Sequence, residues 1–351
     1  MNSKVILIFV ILTFSLSALS AEGLDQTLEK LSGTAAEMYV GPIVSGFGTN
    51  LNGGWFHKSP KSKFLGLDFE IGIVGMGTMF NDEDDNFSTN AWFQFVPKQA
   101  EDLTTNIDPN IRPYVIKAIL EQEFLVNMYG PTIIGSSAEE IEIDFPAQYI
   151  DWEAPDGSTG SELIPGQTIG TDINGILDGA DALPFFAPQI AIGTLFGTML
   201  TARILPAFDV KDLGEVSYYG GGLQHNIKAW MPLPIPVDIS LAAFMQTLKL
   251  GEYVTANAFT AGINVSKTFG PEMFSITPYA GYMLENSNME FSYDFLISEE
   301  QDPVKINFDI DGKNKSRLTL GSTFRLGITH FNIDYNVGEY KSVTIGLAFA
   351  F

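Results

Sequence analysis

SVTIGLAFAF, residues 342–351, alternates with a period of two: Val343, Ile345, Leu347, Phe349 and Phe351 are apolar, and Thr344, Gly346, Ala348 and Ala350 between them are small or weakly polar. Successive side chains of a strand point to opposite faces, so the segment has one greasy face and one compact face. Its length matches the roughly ten residues of a tilted membrane-crossing strand. In a transmembrane barrel one face of each strand meets lipid and the other meets the lumen, which is the division seen in this stretch.

The pattern recurs upstream. Leu65, Leu67, Phe69, Ile71 and Ile73 alternate with Gly66, Asp68, Glu70 and Gly72, while Val237, Ile239, Leu241, Ala243 and Met245 oppose Asp238, Ser240 and Gln246. Leu318, Leu320, Phe324, Leu326 and Ile328 alternate with Arg317, Thr319, Gly321, Thr323, Arg325 and Gly327. A soluble β-sandwich also alternates, but its outward face is polar and its inward face apolar; the off-phase positions here are largely Gly, Ala, Ser and Thr. Turn signals place strands near residues 63–80, 87–97, 188–204, 215–230, 237–249, 252–268, 273–285, 289–297, 304–311, 315–328, 331–337 and 342–351. The expected fold class is all-β, an antiparallel up-and-down transmembrane β-barrel of about 12 strands (12 to 14), with a short N-terminal helix. An even count leaves both termini in the periplasm, with links 231–236 and 270–271 on that side and the acidic links 81–86 and 209–215 outside. The polar link 298–302 then falls inside.

Composition narrows the function classes. Acidic residues outnumber basic ones 42 to 19, for a net charge of -23, which argues against a nucleic-acid partner. There is no cysteine, so disulfides, thiolate metal sites, a nucleophilic thiol and a lipidated cysteine are all excluded. Only 17% of residues are charged, whereas Gly (34), Phe (27) and Tyr (12) abound. Beyond the N-terminus no apolar run is long enough for a helical span, so the apolar surface must lie in strands.

Lys4 precedes the apolar residues 5–16, and Ser17, Ala18, Ser20 and Ala21 follow. That order is the layout of a secretory signal peptide, assigned to residues 1–20. Leu24, Leu28, Leu31, Ala35 and Met38 recur at helical spacing, followed by a Gly- and Asn-rich stretch to Trp55. Residues 21–57 are therefore expected to be a periplasmic helix and Gly-rich segment, either a plug or lid for the barrel or a tail against its rim. Residues 58–351 form the barrel, interrupted by a long irregular insertion at 98–184 whose ends parity places in the periplasm. Such a long connection is functional, disordered, or hides regular structure. Residues 111–124 look helical and 140–150 strand-like, so the insertion folds inward as a constriction or supplies two more strands.

The stretch YVGPIVSGFGTNLNGGW (residues 39–55), the turn from Pro131-Thr132 to Gly135, and YGGGLQHNIKAWMPLPIPVD (residues 219–238) resemble an uncharacterised family of outer-membrane barrel proteins from Bacteroidetes-type bacteria. The resemblance covers most of the mature chain and implies an outer-membrane barrel. It supplies no catalytic residues. A looser similarity, to long-chain fatty-acid outer-membrane channels, implies hydrophobic-substrate transport, although the plug motif of those channels is absent here.

Signatures of catalysis are absent: no GxSxG elbow, no P-loop, no HExxH. Of the three histidines, His57, His225 and His330, only His225 with Asn226 forms a pair worth weighing for hydrolysis; its neighbours Leu223 and Ile227 point it at lipid instead. The run Asp82, Glu83, Asp84, Asp85 lacks the spacing of a calcium loop and reads as a solvated turn. Lumen-facing candidates are Asp68, Glu70, Lys228, Asp238, Arg317, Arg325 and Asp334, nearly balanced in sign, so the negative excess belongs to loops. Trp92, Tyr219, Trp230, Tyr253, Tyr282 and Tyr340 suit an interfacial girdle, or a carbohydrate platform. The expected function is thus a non-enzymatic outer-membrane channel or transporter for small solutes or hydrophobic compounds, with no metal or cofactor. The alternatives are a structural or adhesive barrel with a filled lumen and a membrane-embedded hydrolase. Its expected partners are outer-membrane lipid and lipopolysaccharide, and the barrel-assembly machinery acting on the strand that ends at Phe351.

Overall fold

The computed structural model describes residues 33–61, 65–210, 214–230, 235–251, 253–295 and 304–351. The signal segment, Leu24, Leu28 and Leu31 of the expected helix, and most of the links 231–236 and 298–302 lie outside the described residues. In chain order the elements begin with helix α1 (Gly33–Asn52), strands β1 (Leu65–Met79) and β2 (Asn86–Phe93), and helices α2 (Pro97–Leu103) and α3 (Arg112–Leu120). Strands β3 (Phe124–Pro131), β4 (Glu142–Phe145), β5 (Gln148–Glu153), β6 (Thr159–Ile164) and β7 (Gln167–Gly170) follow. Then come β8 (Ala182–Leu195), β9 (Thr198–Val210), β10 (Gly214–Asn226), β11 (Asp238–Leu250), β12 (Val254–Ser266) and β13 (Phe274–Phe295). The chain ends with β14 (Val304–Asp311), β15 (Ser316–Leu326), β16 (Thr329–Val337) and β17 (Ser342–Ala350). No helix among the described residues is long and apolar enough to cross a membrane.

Contacts divide the chain into two compact units, one made of Gly41–Asn81 and Ala180–Phe351, the other of residues 33–40 with Asp82–Gly179. The first is a closed antiparallel barrel of ten strands, β1 and β8 to β13 with β15 to β17. β1 pairs with both β8 and β17, and the β12–β13 ladder completes the circuit. β14 is an eleventh, outer strand that pairs only with the far end of the 22-residue β13, while β15 pairs with its near end.

The expected count of 12 is corrected to ten, for three reasons. The stretch 87–97 is no barrel strand: β2 pairs with β3 in the second unit. The stretch 188–204 is two strands, because Phe196 and Gly197 both take positive φ (53° and 73°) and make the tight hairpin turn between β8 and β9. The stretches 273–285 and 289–297 are one strand, and 304–311 and 315–328 run one after the other beside it.

Alternation along β17 is resolved as the side-chain pattern demands. Ile345, Leu347, Phe349 and Phe351 are exposed and Val343 is half-exposed, while Ser342, Thr344 and Ala350 are buried. The same outward apolar face runs around the barrel through Ile71, Ile192, Leu200, Leu223, Leu241 and Phe259, and continues through Leu284, Leu320 and Ile333. Inward positions mix polar and apolar side chains: Gln189, Gln224, Gln246, Thr260, Asn264 and Asn336 are buried together with Met76, Phe185, Phe244 and Met283. An outward apolar face on a ladder that closes on itself excludes a two-layer β-sandwich.

The second unit contains the expected insertion, and it is regular rather than irregular. A four-stranded sheet in the order β2-β3-β4-β7 and a separate β5–β6 hairpin accompany α2 and α3. Phe93, Phe95, Phe124 and Phe145 pack ring against ring, with centroids 5.1 to 5.6 Å apart, as its core. Within this unit Tyr39 of α1 donates its hydroxyl to the Asn174 carbonyl at 2.9 Å. The chain leaves the barrel at Asn81 and returns at Ala180, and Phe80 N–H bonds the Asp181 carbonyl at 3.1 Å. These residues lie at the rim opposite Phe351, since β1 and β17 are antiparallel with Glu70 facing Ala350 and Thr78 facing Ser342. Parity over twelve strands puts the ends of the insertion at the same rim as the C-terminus; the pairing of 87–97 outside the barrel reverses that.

Candidate functional site

Eight strands enclose a space that their own side chains just fill; ten leave room for something else. In this barrel the extra space holds the chain's own N-terminal segment. Among the described residues helix α1 covers Gly33–Asn52, so it continues well past Met38, the last residue of the expected helical pattern, and residues 41–61 pass through the lumen. Near the rim that bears residues 80 and 180, Asn50 donates to the Leu183 carbonyl and accepts from Thr78, at 2.7 and 2.8 Å. Near the opposite rim Asn226 donates to the Pro60 carbonyl at 2.7 Å, and Ser59 Oγ lies 3.2 Å from Ser240 Oγ.

Between those ends the wall holds the backbone of the segment. Arg317 donates to the Asn52 carbonyl at 2.5 Å, Arg203 to Gly53 at 2.8 Å, Thr323 to His57 at 2.6 Å and Gln224 to Lys58 at 3.0 Å. An irregular backbone away from water needs such partners, because each orphaned polar group costs about 1–3 kcal/mol. Trp55 sits at mid-lumen, 2% exposed, stacked on Phe244 with centroids 4.8 Å apart, with the Arg203 guanidinium 3.9 Å above its ring. Gly220 clears space for it: a Cβ there would lie 3.2 Å from the Trp55 ring and 2.7 Å from the Gln246 Cβ. Gly54 is bound both by its positive φ of 68° and by close approach, a Cβ meeting Thr344 and Val74 at 2.7 Å.

Two charged clusters flank this anchor. Arg317 lies 3.1 Å from the fully buried Glu285 carboxylate. Asp334 accepts from the Tyr279 hydroxyl at 2.8 Å and from Asn336 at 2.7 Å. The second cluster centres on Glu70. His57 Nε2 is 2.9 Å from one carboxylate oxygen; Lys58 Nζ bonds the other, with His330 Nδ1 at 3.5 Å from it. Lys58 Nζ also lies 3.8 Å from Asp68. A cavity of about 10 Å³ adjoins this cluster, bounded by His57, Glu70, Gln189, Ala191, Asn332 and Gly346. That is at the lower limit of the roughly 10–15 Å³ that one water molecule requires.

Of the residues read as lumen-facing, Glu70, Arg317 and Asp334 are buried at the segment and Asp68 lies beside it. Lys228 and Asp238 pair with each other at 3.6 Å near the Phe351 rim, and Arg325 donates to the Gly327 carbonyl at 2.8 Å. Arg203 at the Trp55 anchor, and Glu285, His57, Lys58 and His330 in the clusters, are residues that the sequence reading passed over. Arg203 and Glu285 were legible in principle, each being out of phase with an outward neighbour, Leu200 or Leu284. His57 and Lys58 sit in a segment without periodicity and left no such signal.

His225 and Asn226 face opposite sides of β10. His225 lies outward beside Leu223, with Nδ1 2.9 Å from Thr198 Oγ1 and its ring near Trp230, whereas Asn226 points into the lumen. Tyr219, Trp230, Tyr253 and Tyr282 are exposed on the barrel. Trp92 belongs to the second unit, and Tyr340 is 1% exposed, which removes both from any girdle. Within the second unit a cleft of about 1170 Å³ opens between α3 and the β5–β6 hairpin, with Tyr114 stacked on Trp152 at 6.0 Å along its wall.

The profile of a family of unknown function (DUF6588) matches residues 1–351. No curated protein matches. Among solved structures, the Vibrio cholerae outer-membrane protein OmpT is similar at 9% identity, covering 82% of this chain and 99% of that one with a TM-score of 0.23. The transport unit of the Escherichia coli autotransporter AIDA-I is similar at 9% identity, with 88% and 97% covered and a TM-score of 0.26. The Ralstonia pickettii toluene transporter TbuX is similar at 10% identity, with 90% and 92% covered and a TM-score of 0.21. Superposition at these scores defines no common framework.

Proposed function

The chain belongs to this DUF6588 family of unknown function, and we propose that it is a non-enzymatic outer-membrane barrel with a filled lumen, a structural anchor for residues 82–179, which are inserted in the chain between β1 and β8. One observation supports this above the rest. Wall side chains donate in sequence to the carbonyls of residues 52, 53, 57, 58 and 60, so the segment is held along the barrel wall between the two rims. The outward band of Ile, Leu and Phe supports the membrane assignment, because exposed apolar surface on this scale is unstable in water. Lipid and lipopolysaccharide are the partners of that band, and the β17 strand is the segment read by the barrel-assembly machinery. Planar-bilayer recording of the intact protein tests the filled lumen. No sustained conductance is expected, and steady ohmic current through the intact chain would overturn the proposal.

A second reading, a gated passage for small or hydrophobic solutes, draws on the polar character of the lumen contact. Gln224 Oε1, Gln246 Oε1, Asn264 Nδ2 and Thr260 Oγ1 are buried without a hydrogen-bond partner among the described residues, so withdrawal of the segment would hydrate groups that are now unsatisfied. This reading requires conductance in a variant lacking residues 22–61 and reversible opening in the intact chain; the anchor requires only the former.

A further inference from the structure

His57, Glu70 and His330 come from three separate stretches of the chain: the lumen segment, β1 and β16. All three are buried, and one ligand atom from each lies within 4.8 Å of the other two. His57 Nε2 lies 2.9 Å and His330 Nδ1 3.5 Å from Glu70 oxygens, so opening the first contact by a few tenths of an ångström brings both to the roughly 3.3–3.6 Å between neighbouring donors of a tetrahedral ion with bonds of about 2.0–2.2 Å. His330 provides a second, independent indication. It is 3% exposed, and neither of its ring nitrogens has a hydrogen-bond partner among the described residues. A buried imidazole without partners is costly, and Nδ1 is aimed at the Glu70 carboxylate.

We propose that these residues form a binding site for a divalent first-row transition metal of the zinc type, which fastens the lumen segment to the barrel wall. Two imidazoles and one carboxylate are borderline donors that select such ions over calcium or magnesium, which take oxygen ligands. The cluster is closed off from solvent, so the ion is a structural fastener acquired during folding and carries no substrate chemistry. Lys58 is the competitor for this position, since its ammonium bonds the same Glu70 oxygen that faces His330. It is within 3.8 Å of Asp68, and that carboxylate is where it turns when the metal takes Glu70. The site is independent of whether the barrel is an anchor or a gated passage.

The test is refolding of the full mature chain into detergent micelles with cobalt(II) or zinc(II), followed by desalting and elemental analysis. Equimolar retained metal is expected, with visible d–d absorption for cobalt from mixed nitrogen and oxygen donors. His330→Gln and Glu70→Gln are expected to lose it. Should either fail to fold by its heat-dependent gel mobility, Lys58→Met decides the matter: removing the competing ammonium is expected to raise metal affinity roughly tenfold or more, the scale on which neighbours of a metal site act. Wild type that folds and retains no metal overturns the proposal. Retention unchanged in folded His330→Gln, or unchanged affinity in Lys58→Met, also overturns it by placing the ion elsewhere.

Discussion

Replacing Trp55 by alanine attacks the lumen segment at its largest fully buried side chain. The indole is 2% exposed, stacks on Phe244 at 4.8 Å, lies under the Arg203 guanidinium at 3.9 Å and donates Nε1–H to the Leu51 carbonyl at 2.9 Å. Truncating a buried Trp costs about 3–5 kcal/mol in transfer and cavity terms. The wall around this position is a closed ladder of paired strands and cannot collapse onto the space, which favours the upper part of that range. Loss of the cation–π contact adds to it, removing one of the contacts of Arg203 beside its bonds to Gln189 and the Gly53 carbonyl. If labelling follows the population of the released segment, every 1.4 kcal/mol is a factor of ten, so a loss of about 4–5 kcal/mol should make the variant react on the order of 10³ times faster or more. The absence of native cysteine makes this readable. A single Thr49→Cys reporter, buried at 0% exposure, is labelled by a membrane-impermeant maleimide in the Trp55 and Trp55→Ala backgrounds. An unchanged labelling rate in a folded barrel would refute the claim that Trp55 holds the segment in place.

Arg317→Leu should destabilise by about 3–5 kcal/mol in denaturant titration, because it leaves Glu285 buried without its partner, whereas Arg317→Leu with Glu285→Leu should recover most of that loss. Ile345→Lys, on the exposed apolar face of β17, should cost about 2–4 kcal/mol in liposomes if that face meets the bilayer interior, and close to nothing if it meets water. In the second unit, Asp178 accepts from Ser137 N–H at 2.9 Å and Ser137 Oγ–H at 2.5 Å, and these bonds hold its carboxyl below the ordinary carboxylate range. Its stabilising contribution is therefore complete above the unfolded carboxylate value and disappears as pH falls through the lower folded value. Acid unfolding followed by tryptophan fluorescence should accordingly begin at higher pH in Ser137→Ala than in the parent, and Asp178→Asn should abolish that difference.

The outward half of the barrel was legible because alternation is a local signal. Ile345, Leu347 and Phe349 announce a lipid-type face within ten residues of sequence, and the structure exposes all three. Strand number was less legible, since turns depend on backbone conformation more than on composition. Phe196-Gly197 makes a hairpin although Phe seldom takes positive φ, and residues 286–288 look like a break yet continue β13 in register with β12. The lumen segment was the hardest part. Its glycines and asparagines read as turn formers, but Gly46 and Gly48 lie in a helix packed against Leu183 and Ser287, where a larger side chain would collide. Propensity lost there to tertiary packing, which no single sequence displays. The His57, Glu70 and His330 grouping was invisible for a related reason: the closure of β1 onto β17 and of β17 onto β16 joins Glu70 to His330, and the seating of the lumen segment brings His57 to them.

Whether residues 41–61 occupy the lumen in the membrane is answered most directly by paired cysteines. Gln246 donates to the Asn52 side chain at 2.7 Å from the inner wall, while Leu241 on the same strand faces outward at 53% exposure. Asn52→Cys with Gln246→Cys should form an oxidative cross-link in native membranes, visible as an altered gel mobility reversed by reductant, and Asn52→Cys with Leu241→Cys should not. Failure of the first pair in a folded barrel, or equal cross-linking of both, would contradict a segment seated inside.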